Sequence, residues 1–287
     1  MKTNSGRSRL LKAVCVVVAA TAGLMSATTG AAQSGPEIIQ QVLDAQRDRL
    51  SGIESLLIEQ ELMGMATTLY LVKETVDGEP TLVPQTTTIA GMNVPLPQIA
   101  LDAWSGSAAV YGRWVERFNL DGTDTIEGQP VYRLTIDDFS GIDFGAPSSD
   151  DFPGRPLAGV FYVEQESLVV RRMELDMEIA APGTGETEVT KLVSALYDYR
   201  EVKGYLHPFR TSVSWDGLIR LMSDGRGMAE MERELAELER RLSEVPAAQR
   251  EMIEQMLEPM RNMLSGAPME TIVTRLEANV DPPARGR

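Results

Sequence analysis

The sequence predicts an α+β protein: one long antiparallel sheet, apolar on one face and covered there by helices, with an αα-hairpin inserted between two strands. Three observations carry this. "RRMELDMEIA" alternates strictly, with Met173, Leu175, Met177 and Ile179 on one side and Arg172, Glu174, Asp176 and Glu178 on the other, the mark of a sheet with one wet face. "PEIIQQVLDAQRDR" places Ile38, Ile39, Val42 and Leu43 on one side of a helix. Beyond Trp215 the period becomes helical again. Met228, Met231, Leu235, Leu238, Leu242 and Val245 stand alternately three and four residues apart, the seam of packed helices.

The first 32 residues read as a secretory signal peptide. Lys2, Arg7, Arg9 and Lys12 come without an acid, an apolar run extends from Ala13 to about Met25, and the small-residue stretch "SATTGAAQ" follows. Cleavage is expected after about Ala32. A signal anchor is the alternative reading, but spanning a bilayer takes about 20 apolar residues. Cys15 is the only cysteine and lies inside this segment. A lipid anchor would need it after the apolar run, which instead follows it, so the mature chain is expected to carry neither thiol nor disulfide. Export without disulfides suits a bacterial periplasm.

The remaining residues, 33–287, are expected to form a single domain. They carry 23 Lys and Arg against 42 Asp and Glu, a net charge of −19. That charge argues against nucleic acid and against adhesion to anionic lipid.

Along the domain, Ser34-Gly35 precedes a helix over 36–49, with Pro36 in its first turn. Strands follow at 53–63, 67–77 and 81–90, separated by Gly-bearing turns. Residues 91–108, punctuated by Pro and Gly, predict a loop with a short helical turn, while 109–119 fits either strand or helix, with strand the favoured reading. A turn at Glu127-Gly128 opens a strand in which Tyr132, Leu134 and Ile136 share a face. An acidic loop over 138–157 leads to a hairpin turning at Glu164–Ser167, and two more strands turn near Lys203-Gly204. The αα-hairpin is expected over about 217–265, broken at Pro246. Its second helix carries Met252, Met256, Met260 and Met263 on one face. A strand over 269–280 closes the domain, with Ile272, Thr274 and Leu276 expected on one face.

Groups able to do chemistry are scarce. His207 is the only histidine, so a two-histidine metal site is excluded, and thiolate ligands are absent. Neither a G-x-S-x-G elbow nor a phosphate-binding glycine loop occurs. A Ser–His–acid triad would have to use His207, which reads better as structural. "SSDDFPG" falls short of a Ca²⁺ loop. The chain is therefore read as a non-enzyme without metal or cofactor. The apolar surfaces say more. Where a sheet and its helical cover meet incompletely, a concave apolar pocket results. Met173 and Met177 on the sheet, with the Met row of the hairpin, would line it with adaptable side chains.

Three stretches resemble the bacterial outer-membrane lipoprotein carrier superfamily, the LolA-like proteins. "EGQPVYRLTI" resembles that group's turn-plus-strand, "VFYVEQESLVVRRMEL" its hairpin with an acidic turn, and "DYREVKGYLHPFR" a hairpin late in the fold. "IIQQVLDAQRDRLSGIESL" is similar to the helix and first strand with which these proteins begin. The resemblance implies an incomplete, strongly curved antiparallel β-barrel whose open side is plugged by helices. It implies binding of lipid or lipoprotein acyl chains between sheet and helices. The expected lining comprises Leu56, Ile58, Leu62, Tyr132, Leu134, Ile136, Met173, Leu175, Met177 and Ile179 on strands, and Met252, Met256, Met260 and Met263 on the hairpin. The expected function is that of a periplasmic carrier. The alternative is an envelope sensor or interaction domain that docks an inner- or outer-membrane protein through the 217–265 hairpin.

Overall fold

The structure, a computed structural model, describes residues 33–62, 64–76, 78–89, 92–93, 109–112, 114–140, 154–180, 187–215, 233, 235–240, 250, 257, 261–262 and 267–282. The expected signal peptide, most of the 91–108 and 138–157 loops, and all four hairpin methionines lie outside them. The chain divides into a unit Met1–Gln33 and a unit Ser34–Arg287; everything below concerns the second.

Its first element starts where the sequence signals one. The Ser34 hydroxyl accepts from the Glu37 amide, and the Glu37 carboxylate accepts from the Ser34 amide at 2.8 Å. This reciprocal cap satisfies two helix-end donors and opens α1, Gly35–Leu50, with Pro36 in the first turn. The stripe Ile38, Ile39, Val42 and Leu43 is buried.

Eleven strands follow: β1 (Ser55–Leu62), β2 (Met65–Val76), β3 (Glu79–Ile89), β4 (Met92–Asn93), β5 (Asn119–Ile126), β6 (Gln129–Ile136), β7 (Gly154–Glu164), β8 (Val170–Ala180), β9 (Thr187–Val202), β10 (Tyr205–Trp215) and β11 (Met269–Ala278). They form one sheet in the order β4-β3-β2-β1-β11-β10-β9-β8-β7-β6-β5. Every pairing is antiparallel. Two meanders, β1–β4 and β5–β10, are joined by β11, which pairs with β1 on one side and β10 on the other. The hairpins at Glu127-Gly128 and Lys203-Gly204 place both central residues at positive φ, the mirror-image turn whose twist matches that of the strands and which Gly tolerates without cost.

The sheet is open, since β4 and β5 stand at its two ends, and it is strongly curved. α1 touches β3, β10 and β5. In a flat sheet the nine steps between β3 and β5 would span about 43 Å at the usual strand spacing, beyond the reach of a single helix of this length. The sheet therefore wraps round α1.

Two buried clusters result. One lies beneath α1: its stripe packs against Leu134 and Ile136 of β6, Phe161 and Val163 of β7, Val170 and Met173 of β8, and Leu196 of β9, with Tyr111, Trp114, Phe118 and Phe139 completing it. The other forms beyond the helix, from Leu50, Ile53, Leu56, Ile58, Leu69, Leu71, Tyr205, Val273 and Ala278. Among the described residues no helix is long and apolar enough to cross a membrane. Residues 233, 235–240, 250, 257 and 261–262 are helical. Leu235 and Leu257 are buried, and Arg261 pairs with Glu239 at 2.6 Å.

Three expectations are corrected. Residues 109–119 are not a strand: α2 (Ala109–Gly112) and a 3₁₀ turn (Val115–Arg117) precede β5. Tyr111, Trp114 and Phe118 stand three and four apart, helical spacing, and all enter the core under α1. β5 is a strand that the sequence does not predict. "NLDGTDTI" is almost wholly exposed and has no apolar alternation to announce it; only its ladder with β6 makes it a strand. Finally, Ile272 and Thr274 face outward, Ile272 being 44% exposed, while Thr271 and Val273 are buried. The register against β1 shifts between Glu59 and Gln60, which face Arg275 and Val273, so Thr274 is the extra residue of a bulge. Its hydroxyl donates to the Glu59 carbonyl at 3.0 Å. The bulge reverses the phase along β11, so that Leu276, beyond it, still packs on the second cluster.

Gly35 records how closely α1 meets the sheet. A Cβ there would lie 2.2 Å from the Phe118 carbonyl oxygen and 2.5 Å from its carbon. Backbone cannot yield as a side-chain tip can, so Gly35→Ala is expected to cost about 2 kcal/mol by overpacking. Urea unfolding measures this, and an unchanged midpoint would refute the close approach.

Candidate functional site

Alternation places Leu56, Ile58 and Gln60 of β1 on one buried side, and Leu69 and Leu71 of β2 on the same side. Leu56 stands opposite Leu71, Ile58 opposite Leu69, and Gln60 opposite Thr67. Directly opposed residues share a face, so an apolar patch grades here into a polar end. β11 continues the polar end, with Val273 opposite Gln60 and Thr271 opposite Thr211 of β10. His207 lies on the same strand, four residues of extended chain before Thr211.

These side chains enclose a cavity of about 20 Å³, lined by Ile58, Gln60, Leu69, Leu71, Leu82, His207, Pro208, Thr211, Thr271 and Val273. A space of this size holds about one water molecule. Among the described residues the lining contains no Lys, Arg, Asp or Glu. Its polar members Gln60, His207, Thr211 and Thr271 are nevertheless all buried.

His207 is the most unusual of them. It is 3% exposed, and its Nδ1 has no hydrogen-bond partner. The ring stacks on Tyr205 with centroids 6.1 Å apart and meets Phe209 edge-on at 6.5 Å. Burial pushes its pKa down to about 4, because the low-dielectric surroundings penalise imidazolium. The ring is therefore neutral at physiological pH. Among the described residues of the cavity wall no carboxylate stands beside it as a hydrolytic triad would require. Among the described residues no cluster of His, Cys, Asp and Glu could hold a metal ion. What the arrangement can do is shelter an apolar group and offer uncharged donors and acceptors at one end.

Of the ten described residues expected to line a pocket, Ile58 alone borders this cavity. Leu56 is buried beside it in the second cluster, and Leu62, farther along β1, is half-buried. Leu134, Ile136 and Met173 belong to the cluster under α1, with Tyr132 and Leu175 packed against its rim. Met177 and Ile179 are buried, opposite Pro156 and Gly154 of β7. Met252, Met256, Met260 and Met263 lie outside the described residues. Gln60, Leu69, Leu71, Leu82, Thr211, Thr271 and Val273 are not among the residues the sequence predicts for a lining. Gln60 carried a legible signal, a polar residue in phase with Leu56 and Ile58. Thr271 and Val273 did not, because the bulge hid their phase.

No family model matches the chain, and no curated protein matches it. Solved structures similar to it include a domain assigned to outer membrane lipoprotein sorting from Vibrio parahaemolyticus, at 11% identity over 87% of this chain and 94% of that one, with a TM-score of 0.41. A LolA superfamily protein from Nitrosomonas europaea is similar at 8% identity over 85% and 94%, with a TM-score of 0.34. A DUF1329 family protein from Desulfovibrio piger follows at 10% identity over 87% and 93%, with a TM-score of 0.38. Scores of this size carry no functional argument, which rests on this chain's own residues.

Proposed function

We propose that the chain is an exported, non-catalytic carrier that holds the acyl part of a lipid or lipoprotein against the apolar inner patch of β1, β2, β3, β10 and β11. One observation carries the reading. α1 seals the β6–β9 half of the curved sheet into a filled core, whereas the other half retains a cavity walled by Ile58, Leu69, Leu71, Leu82 and Val273. An acyl chain burying there gains about 0.8 kcal/mol per methylene. The cavity at its present volume admits only the start of such a chain, so loading requires the wall to open. The segment over 217–265 supplies the lid in this reading, and its methionines complete the lining. The amino-terminal segment supplies export to the periplasm.

Native mass spectrometry of gently purified protein, with uptake of the uncharged fluorophore N-phenyl-1-naphthylamine, tests the proposal. Co-purified lipid and saturable uptake are expected. Leu82, half-buried on β3 near the sheet's end, is the place to fill the cavity: Leu82→Trp is expected to weaken uptake about tenfold while leaving the fold intact. A ligand-free protein that takes up no fluorophore would overturn the carrier reading. Deleting 217–265 separates it from docking of a membrane protein: loss of partner binding with uptake intact would move the assignment to an envelope sensor.

A further inference from the structure

The polar end of the cavity tells what kind of ligand fits. His207 Nδ1 is buried without a partner, and leaving such a group unpaired costs about 1–3 kcal/mol. Gln60, Thr211 and Thr271 line the same cavity, and all three are buried. Thr211 and Thr271 stand directly opposite each other across β10 and β11. Gln60 is one strand farther on, opposite Val273. Of the four, His207 alone carries a buried side-chain atom without a partner among the described residues, and an apolar residue in its place would carry no such cost. Together the four side chains offer amide and hydroxyl donors, carbonyl and hydroxyl acceptors, and an imidazole with one nitrogen of each kind.

Among the described residues the same lining holds no charged side chain. A carboxylate or phosphate brought into it would lose its water with no counter-ion to replace it, a cost far above that of a neutral polar group. An ester carbonyl or a free hydroxyl would lose less and would find both donors and acceptors waiting. We infer that this cavity is a subsite for one polar oxygen of an uncharged acyl ester, met by the uncharged donors and acceptors of its wall, and that it discriminates against the ionised fatty acid of the same chain length. The inference deepens the carrier reading and rests on it.

Displacement of bound N-phenyl-1-naphthylamine by monopalmitoylglycerol and by palmitate, compared at pH 7.5 below their critical micelle concentrations, tests it. The wild-type protein is expected to prefer the ester at least tenfold. His207→Phe retains an aromatic ring beside Tyr205 and Phe209 and removes both nitrogens. Thr211→Val keeps the shape of its side chain and removes the hydroxyl. Each is expected to reduce the preference threefold or more. Equal displacement by ester and acid would overturn the inference and leave the carrier reading standing. So would an unchanged ester preference in both variants. Absence of fluorophore binding and of co-purified lipid in the wild-type protein would overturn both together.

Discussion

Phe161→Ala is expected to destabilise the protein by about 3–5 kcal/mol, the usual cost of deleting a buried aromatic ring. Phe161 is 1% exposed and sits where three parts of the chain converge. Its ring meets Phe118 edge-on at 5.1 Å and Tyr111 at 5.6 Å, and Met173 stands opposite it on β8. Phe118 and Tyr111 in turn join the α1 stripe in the same cluster. Removing the ring therefore leaves a void among the close-packed side chains of this cluster, which can relax into it only in part. Phe161→Leu, which keeps most of the volume, is expected to cost less than half as much. Urea unfolding followed by tryptophan fluorescence gives both numbers. Equal and small losses would show that the cluster is loosely packed.

A loss of about 3 kcal/mol is expected on acidification from His207 alone. Its folded pKa is about 4, against an ordinary value near 6.5. Above about pH 6.5 the ring is neutral in both the folded and the unfolded chain, and stability is at its full value. As pH falls toward about 4, the unfolded chain binds a proton that the folded protein refuses. The equilibrium shifts toward unfolding over that window and levels off below it. The carboxylates of an acidic chain titrate nearby, so the comparison must be differential. Between pH 7.5 and 4.5 the wild-type protein is expected to lose about 2–3 kcal/mol more than His207→Phe. Parallel pH profiles would show that the ring is hydrated or paired in solution.

Both predictions turn on residues whose chemistry the sequence displayed but whose setting it did not. His207 is visible in the sequence as the lone histidine in a strand, and nothing there announced that Gln60, Thr211 and Thr271 would join it. They come from three strands, and β1 and β11 are separated by more than two hundred residues before they pair. Periodicity reports which face a side chain takes, not which strand will lie beside it. The Thr274 bulge shows a second limit. A single inserted residue reverses the phase of a strand, and the insertion is defined only by the partner's register.

What the sequence determined by itself was local. α1 and its cap, the strands that alternate cleanly, and the turns at Glu127-Gly128 and Lys203-Gly204 follow from spacing and residue type within a few positions. So do the scarcity of catalytic groups and the existence of a one-sided apolar sheet that needs a cover. Tertiary structure alone decided how that cover is shared. α1 fills the concavity over β6–β9, and the wing built from β1, β2, β3, β10 and β11 is left with a cavity. The reason is geometric. One helix of this length can occupy only part of a curved sheet of eleven strands, and which part depends on where the chain enters and how sharply the sheet bends. Neither quantity is written in any short stretch of residues.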